Sequence, residues 1–331
     1  MMVELDTLIT GKKKKTGNVI VDIAAPRKRL VIGDIHGHIE PFKSIYEAEN
    51  PDDVIILGDY FDSFNGTDKE IIDCFKEILS MQKAHKKGEF ILLIGNHDFH
   101  YIYLPEKYSG KRKSYELTVS IMLDKCLENH QIQYVYVDKI NKTVYSHAGI
   151  MNKWMHENRI FTDDLNDLNV LDPRKYVFTF RGGDTGYGDG PYASPIWVRP
   201  STLIFDMYKD NAGWTWTQIV GHTHHKLPSI YCGPGLDLVT GEHKYEYEHD
   251  AEGLFWQYTT KEWPGLYVID SLPYYYMIEN IGPNGEVMER EVKSTENMGE
   301  TMKKIKAEKS LKIEQEISKL AEMCGINYPT K

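Results

Sequence analysis

From Arg29 onward the chain alternates short, wholly apolar runs with longer stretches whose apolar residues recur at helical spacing. The runs are Leu30–Ile32, Val54–Leu57 and Phe90–Ile94, each followed at once by a glycine. Runs of that length, closed by a turn residue, read as strands covered on both faces. Between them, Glu40–Glu49 and Asp68–Lys87 read as helices. In the second, Ile71, Ile72, Phe75, Ile78 and Leu79 form one stripe that can face a core. Strands alternating with helices in this way predict an α/β core.

Either side of this core the pattern changes. Residues 1–27 have few core-like positions and a Lys12–Lys15 run, which predicts an arm with a solvated turn and one edge strand at Val19–Ile23. Residues 150–200 are irregular, and Arg181–Pro191 (RGGDTGYGDGP) packs five glycines into eleven residues. That stretch does not match G-x-x-x-x-G-K-[ST], so it predicts a loop and not a P-loop. Residues 243–280 are rich in aromatic residues, alternating at His243, Tyr245, Tyr247 and His249, which predicts antiparallel strands. Over 299–324, Ile313, Ile317, Leu320 and Cys324 share one stripe, and Gly325 supplies a stop for a helix. The expected organisation is an arm over 1–27, a catalytic domain over 28–285 and a helical extension over 286–331.

Composition narrows the function classes. The chain has 331 residues, 41% hydrophobic and 27% charged, with 39 Lys and Arg against 49 Asp and Glu, a net charge of −10. This is the make-up of a globular chain with a sizeable core, not of a disordered or fibrous one. The longest apolar runs fall well short of the roughly 20 residues a membrane span needs, so no membrane association is expected. The first fifteen residues place their lysines after the apolar positions and contain no long apolar segment, so no secretory signal is expected. Cys74, Cys126, Cys232 and Cys324 are too scattered for a disulfide framework, consistent with reduced thiols and a cytoplasmic location. The acidic balance argues against coating nucleic acid, which needs clustered cations. It is compatible with a phosphate-handling enzyme whose positive charge comes from metal ions.

The chemistry collects at strand ends. RLVIGD ends in Asp34, with His36 two residues on; VIILGD ends in Asp59 and FILLIGN in Asn96. TVYSH ends in His147 and TQIVGH in His222, with His224 two residues further. In α/β sheets the loops beyond the carboxyl ends of strands gather at one rim, where ligands bind. One such match is weak, because a buried histidine is more often satisfied by a neighbour than by a metal. Five in one chain predict a metal site.

The motifs GDIHG (33–37), GDYFD (58–62), GNHD (95–98), SHAGI (146–150) and GHTHH (221–225), in this order, resemble the calcineurin-like metallophosphoesterase superfamily. GDIHG, GDYFD and HAGI are most similar to its phosphoprotein phosphatase branch, including the bacterial and phage serine/threonine phosphatases. The resemblance implies a four-layer αββα sandwich, two mixed sheets flanked by helices, with a two-metal centre at one rim. It implies that Asp34, His36, Asp59 and His224 hold one ion, and that Asp59, bridging, with Asn96, His147 and His222 holds the other. It further implies that His97 is the acid protonating the leaving oxygen and that Asp62 orients it; Asp98 is a rival for that second role. The expected activity is hydrolysis of phosphomonoesters, of phosphoprotein or nucleotide type, by direct attack of a metal-bridging hydroxide. The alternative on the same centre is a phosphodiesterase or dinucleoside polyphosphate hydrolase.

The donor types support a metal reading independently. Nitrogen and oxygen ligands suit Mn²⁺, Fe, Zn²⁺ or Ni²⁺, whereas Ca²⁺ takes oxygen ligands alone; the expected cofactor is two divalent transition-metal ions, Mn²⁺ foremost. Two departures from the phosphoprotein phosphatase pattern bear on the substrate. Where G-D-x-x-D-R-G is usual, Ser63 and Phe64 follow Asp62, so the phosphate-gripping arginine is missing. Arg199, in SPIWVRP, and Arg181 are the candidates to replace it, since a guanidinium fork matches phosphate geometry. The second histidine of GHTH, His224, belongs instead to the broader phosphodiesterase-like pattern.

Overall fold

A computed structural model describes residues 25–62, 66–103, 113–160, 168, 193–200, 202–203, 206, 216–223, 246–249, 256–259, 265–270 and 275–295. The elements in chain order are β1 (Arg27–Ile32), α1 (Ile39–Glu49), β2 (Asp53–Ile56), α2 (Asp68–Ala84), β3 (Phe90–Leu92), α3 (Asn96–Tyr103) and α4 (Lys113–Glu128). There follow β4 (Val135–Asp138), β5 (Thr143–Ser146), α5 (Asn152–Glu157), β6 (Thr217–Val220), β7 (Glu246–His249), β8 (Trp256–Thr259), β9 (Leu266–Val268), β10 (Tyr275–Ile281) and β11 (Val287–Ser294). They form a five-stranded sheet, β11-β10-β1-β2-β3, and a six-stranded sheet, β4-β5-β6-β9-β8-β7. Both sheets are mixed. β1, β2 and β3 are parallel to one another, and β10 is antiparallel to β1; β5, β6 and β9 are parallel, and β4 and β8 are antiparallel to their neighbours.

The strand period explains the layers. Leu30 and Ile32 of β1 and Val54 and Ile56 of β2 pack with Phe42 and Ile45 of α1 and Ile71, Phe75 and Ile78 of α2. The intervening Val31 and Ile55 face the other way and meet Tyr145, Ile219 and Tyr267 of the second sheet. On that sheet's outer side, Val144, Val220 and Leu266 share a cluster with Trp154 of α5 and with Ile196 and Leu203. The result is the expected four-layer αββα sandwich. Each fully buried aliphatic side chain contributes roughly 1.5–3 kcal/mol.

The sheets are also joined by buried charge. The Arg29 guanidinium donates Nη1 to Asp138 of β4 at 2.9 Å, to the Tyr145 hydroxyl of β5 at 2.9 Å and to Glu279 of β10 at 3.1 Å. Arg290 of β11 donates to Glu279 at 2.8 Å and to Thr143 of β5 at 2.9 Å. Removing one member of such a network leaves its partners buried and uncompensated, which is where its cost lies.

Element boundaries follow local chemistry. α2 starts at a capping box, with Thr67 accepting from the Glu70 N–H and Glu70 from the Thr67 N–H. It ends three residues before the expected Lys87, with His85 as its cap in an extended conformation. Among the expected antiparallel strands, β7 and β8 pair antiparallel, but β9 joins β6 in parallel. The β10–β11 hairpin carries the first sheet beyond position 285, where the sequence suggested that the catalytic unit would stop. Val19–Ile23, the glycine-rich 181–190 and the helix expected over 299–324 lie outside the described residues. Cys74 and Cys126 are buried free thiols, and no helix among the described residues is long and apolar enough to cross a membrane.

Candidate metal centre

The carboxyl ends of β1, β2, β3, β5 and β6 deliver Asp34, His36, Asp59, Asn96, His147 and His222 to one place. Two triads of donor atoms result, one of His36, Asp59 and His97 and one of Asp59, His147 and His222, each with its atoms within 4.8 Å of one another. Asp59 belongs to both. Its Oδ2 lies 3.7 Å from Nε2 of His36 and 3.3 Å from Nε2 of His147. Asp34 lies 3.9 Å from the same Nε2 of His36 and 3.7 Å from Nδ1 of His147.

The backbone reaches this arrangement at a cost. His36, Asp59, Asp62 and His222 all have positive φ, between 42° and 63°, a region that costs a non-glycine residue roughly 1–2 kcal/mol. Glycine works differently here: it clears room. A Cβ on Gly95 would stand 1.9 Å from Oδ1 of Asp59, and one on Gly221 would stand 2.4 Å from Oδ1 of Asp34. The strand-end glycines are therefore the sockets into which the two carboxylates fit.

The tautomers of three histidines are set by carbonyls. Nδ1 of His36 lies 3.1 Å from the Phe61 carbonyl, Nδ1 of His147 3.0 Å from that of Leu57, and Nε2 of His222 3.1 Å from that of Trp197. Each of those nitrogens donates its N–H to the carbonyl, so the opposite nitrogen presents a lone pair, as in a metal-ligating histidine. Nε2 of His147 and Nδ1 of His222 then each face Oδ1 of Asn96 at 2.9 Å. Lone pairs that close need a cation or a proton between them. The residues therefore fit divalent metal ions.

His97 differs from these three. Its Nδ1 lies 3.1 Å from Oδ2 of Asp62, a carboxylate and not a carbonyl. Asp98 is not its partner. That carboxylate accepts the backbone N–H groups of Asp59, Tyr60 and Gly95 at 2.9 Å, and of Phe61 at 3.4 Å. Asp98 therefore ties the Asp59 loop to the first turn of α3, while Asp62 is the carboxylate that meets His97.

Charge is unevenly spread. Burial, and next the negative charge of Asp270, push the Asp34 carboxyl well above the ordinary range. Burial acts the same way on Asp59, but His147 and His97 overcome it and hold Asp59 well below that range. Burial would lower His97 and His147, yet the nearby carboxylates, Asp59 foremost, raise both to about 9. A buried acidic excess of this kind is what divalent cations would neutralise.

Arg199 stands beside this cluster, its Nη1 3.2 Å from the Thr223 hydroxyl and 3.4 Å from the His222 carbonyl. His224 and Arg181 lie outside the described residues. Two residues near the site were not anticipated. Asp270 follows β9 at the same rim and ends a strand just as the candidate ligands do, so the signal was there in YVID. Tyr101, whose hydroxyl donates to Oδ1 of Asp62, carried no signal, because an aromatic residue in a helix reads as core.

Residues 27–226 match the family profile of the calcineurin-like phosphoesterases. The chain belongs to the calcineurin-like phosphoesterase family. It is accordingly a metal-dependent phosphoester hydrolase that acts on a phosphorylated substrate and uses divalent metal ions. Solved structures of low identity are also similar to this chain. A cold-active protein tyrosine phosphatase is 16% identical with a TM-score of 0.45, the match covering 81% of this chain and 79% of that one. A dimetal phosphatase from Danio rerio is 12% identical with a TM-score of 0.31, over 82% and 99% of the two chains. A predicted phosphoesterase from Streptococcus pneumoniae is 13% identical with a TM-score of 0.21, again over 82% and 99%. No curated protein sequence matches this calcineurin-like phosphoesterase.

Proposed function

We propose that this phosphoesterase hydrolyses phosphomonoesters, of phosphoprotein or nucleotide type, at a pair of divalent transition-metal ions that share Asp59. Asp34, His36, Asp59 and His224 would hold one ion; Asp59, Asn96, His147 and His222 would hold the other. The mixed nitrogen and oxygen donors suit Mn²⁺, Fe, Zn²⁺ or Ni²⁺, and Mn²⁺ is the ion we propose. When bound, such a pair supplies a water of lowered pKa and positive charge for the phosphoryl oxygens.

The observation that carries the reading is the contrast among the histidines. Three are braced by carbonyls, which fixes the ring and turns the opposite nitrogen toward the metal positions. His97 is braced by the Asp62 carboxylate, which favours a ring carrying protons on both nitrogens. With Nδ1–H held by Asp62, Nε2–H is the proton to be delivered. In the reaction a water oxygen forms the new phosphorus–oxygen bond. The leaving oxygen departs with the electron pair of the broken bond and takes the proton from His97. The second proton of the attacking water restores the imidazolium for the next turnover. Arg199, at the edge of this space, would bind the substrate phosphate.

The test is leaving-group dependence. A nitrophenolate departs without help, whereas an alkoxide needs its proton in the transition state. His97→Asn should lose roughly 10²–10⁴-fold on an alkyl phosphate, with metal content unchanged, and much less on a nitrophenyl phosphate. Equal losses on both substrates would refute proton delivery by His97.

A further inference from the structure

One helix holds the Asp62 carboxylate by both oxygens. Oδ2 meets Nδ1 of His97, and Oδ1 accepts the hydroxyl of Tyr101. His97 and Tyr101 are four residues apart in α3, so their side chains lie on one face of the helix, one above the other. Asp62 itself belongs to a loop, at φ 63°, with its side chain 16% exposed. Tyr101 is fully buried. Its ring lies edge-on to Phe61 at 5.9 Å and to Tyr115 of α4 at 5.7 Å.

We propose that Tyr101 is a positioning residue for proton delivery: its hydroxyl fixes the Asp62 carboxylate so that Oδ2 stays on the His97 Nδ1–H. The proposal rests on the reading of His97 as the acid. A carboxylate anchored at one oxygen cannot turn about its own bond, so the imidazole it holds keeps one orientation. The rings of Phe61 and Tyr115 keep the phenol in place. Burial, and next the hydrogen bond to Asp62, push the Tyr101 phenol far above its ordinary range, so it remains a donor.

Tyr101→Phe removes only the hydroxyl and keeps the packing. In the metal-loaded protein it should cost roughly 10–100-fold in turnover on an alkyl phosphate, with little change on a nitrophenyl phosphate or in metal content. A second readout does not depend on activity. The Nδ1–H of His97, hydrogen-bonded to a carboxylate, should give a downfield proton resonance that is absent from His97→Asn and displaced in Tyr101→Phe. Replacing Tyr101 by 3-fluorotyrosine, a stronger donor of nearly the same shape, should move that resonance the opposite way, which covers the case where Tyr101→Phe folds poorly. In an Asp62→Asn background, Tyr101→Phe should add no further loss, because the two act through one contact. An unmoved resonance, or equal losses on both substrates, would reduce Tyr101 to a packing residue. Failure of the underlying reading has a different signature: His97→Asn would then treat the two substrates alike, whatever Tyr101→Phe does.

Discussion

The Asp98 carboxylate accepts the backbone N–H of Asp59 at 2.9 Å, so one side chain of α3 sets the path of the loop that carries the carboxylate common to both donor triads. Three more N–H groups of the same two loops converge on it. Removing this acceptor would strand several buried donors, each costing roughly 1–3 kcal/mol. Asp98→Ala should therefore lower unfolding free energy by at least about 3 kcal/mol and weaken metal binding with it. Asp98→Asn, which retains one acceptor oxygen, should lose less. Chemical denaturation of the three proteins measures this; an Asp98→Ala protein as stable as wild type would contradict the role.

Asp59 is common to both donor triads, and its substitution should be felt by both ions. Wild type reconstituted with Mn²⁺ should hold about two ions per chain, lose activity to a chelator and recover it on re-addition. Asp59→Asn should hold well under one. Elemental analysis decides, and near-normal occupancy in the variant would rule out a shared ligand.

Arg199 donates to Thr223 and the His222 carbonyl, both neutral acceptors, in a half-buried position. Standing beside the donor cluster, its guanidinium is the proposed contact for the substrate phosphate. Arg199→Ala should lose about 1.5–3 kcal/mol of transition-state stabilisation, read as kcat/KM, while its melting temperature stays near that of wild type. A large drop in melting temperature with intact kinetics would assign the residue to the fold instead.

The inter-sheet charge network predicts an acid limb of stability. Burial would raise the Asp138 carboxyl, but hydrogen bonds from Asn141 and Arg29 outweigh it and hold its pKa below the ordinary value. The unfolded chain therefore binds this proton at a higher pH than the native one. The associated stability is complete above the unfolded pKa, near 4, and disappears as pH falls through the lower native value. Asp138→Asn should lower stability at neutral pH and flatten its fall below about pH 4. Denaturation curves across that range check it; parallel curves for the two proteins would show that Asp138 is not a source of the acid sensitivity.

The sequence made the site more legible than the scaffold around it. Asp34, Asp59, Asn96, His147 and His222 stand out because each follows a buried apolar run and a strand end must put its next residue at the rim. β1, β2 and β3 were legible for the same reason, their ends shifting by no more than three residues. The pairing of β9 was not, because a three-residue strand has too few positions for alternation to separate parallel from antiparallel neighbours. α3 was hidden by its own chemistry: it begins on Asn96, beside the donor cluster, and it carries polar residues such as His97 and Asp98 where apolar periodicity would mark a helix. Whether Asp62 or Asp98 served His97 also lay beyond the sequence. Both are acids in neighbouring motifs, and only the geometry separates one that holds backbone amides from one that meets an imidazole.

The pairing of β1 with β10 fixes an order of manufacture. Arg27 lies opposite Ile281, and Arg29 finds its buried Glu279 partner 250 residues downstream. At roughly 5–20 residues per second, a ribosome needs on the order of ten seconds or more to make the intervening chain. Throughout that interval β1 has an unsatisfied strand edge on one side, and Arg29 lacks its Glu279 partner even after Asp138 and Tyr145 have been made. The nascent chain can therefore assemble β1, β2 and β3 with their helices, but it cannot close the first sheet until Tyr275–Ile281 leaves the exit tunnel. Fragments that stop short of Tyr275 would keep every assigned ligand and still expose that edge, the condition under which chains add to one another as strands.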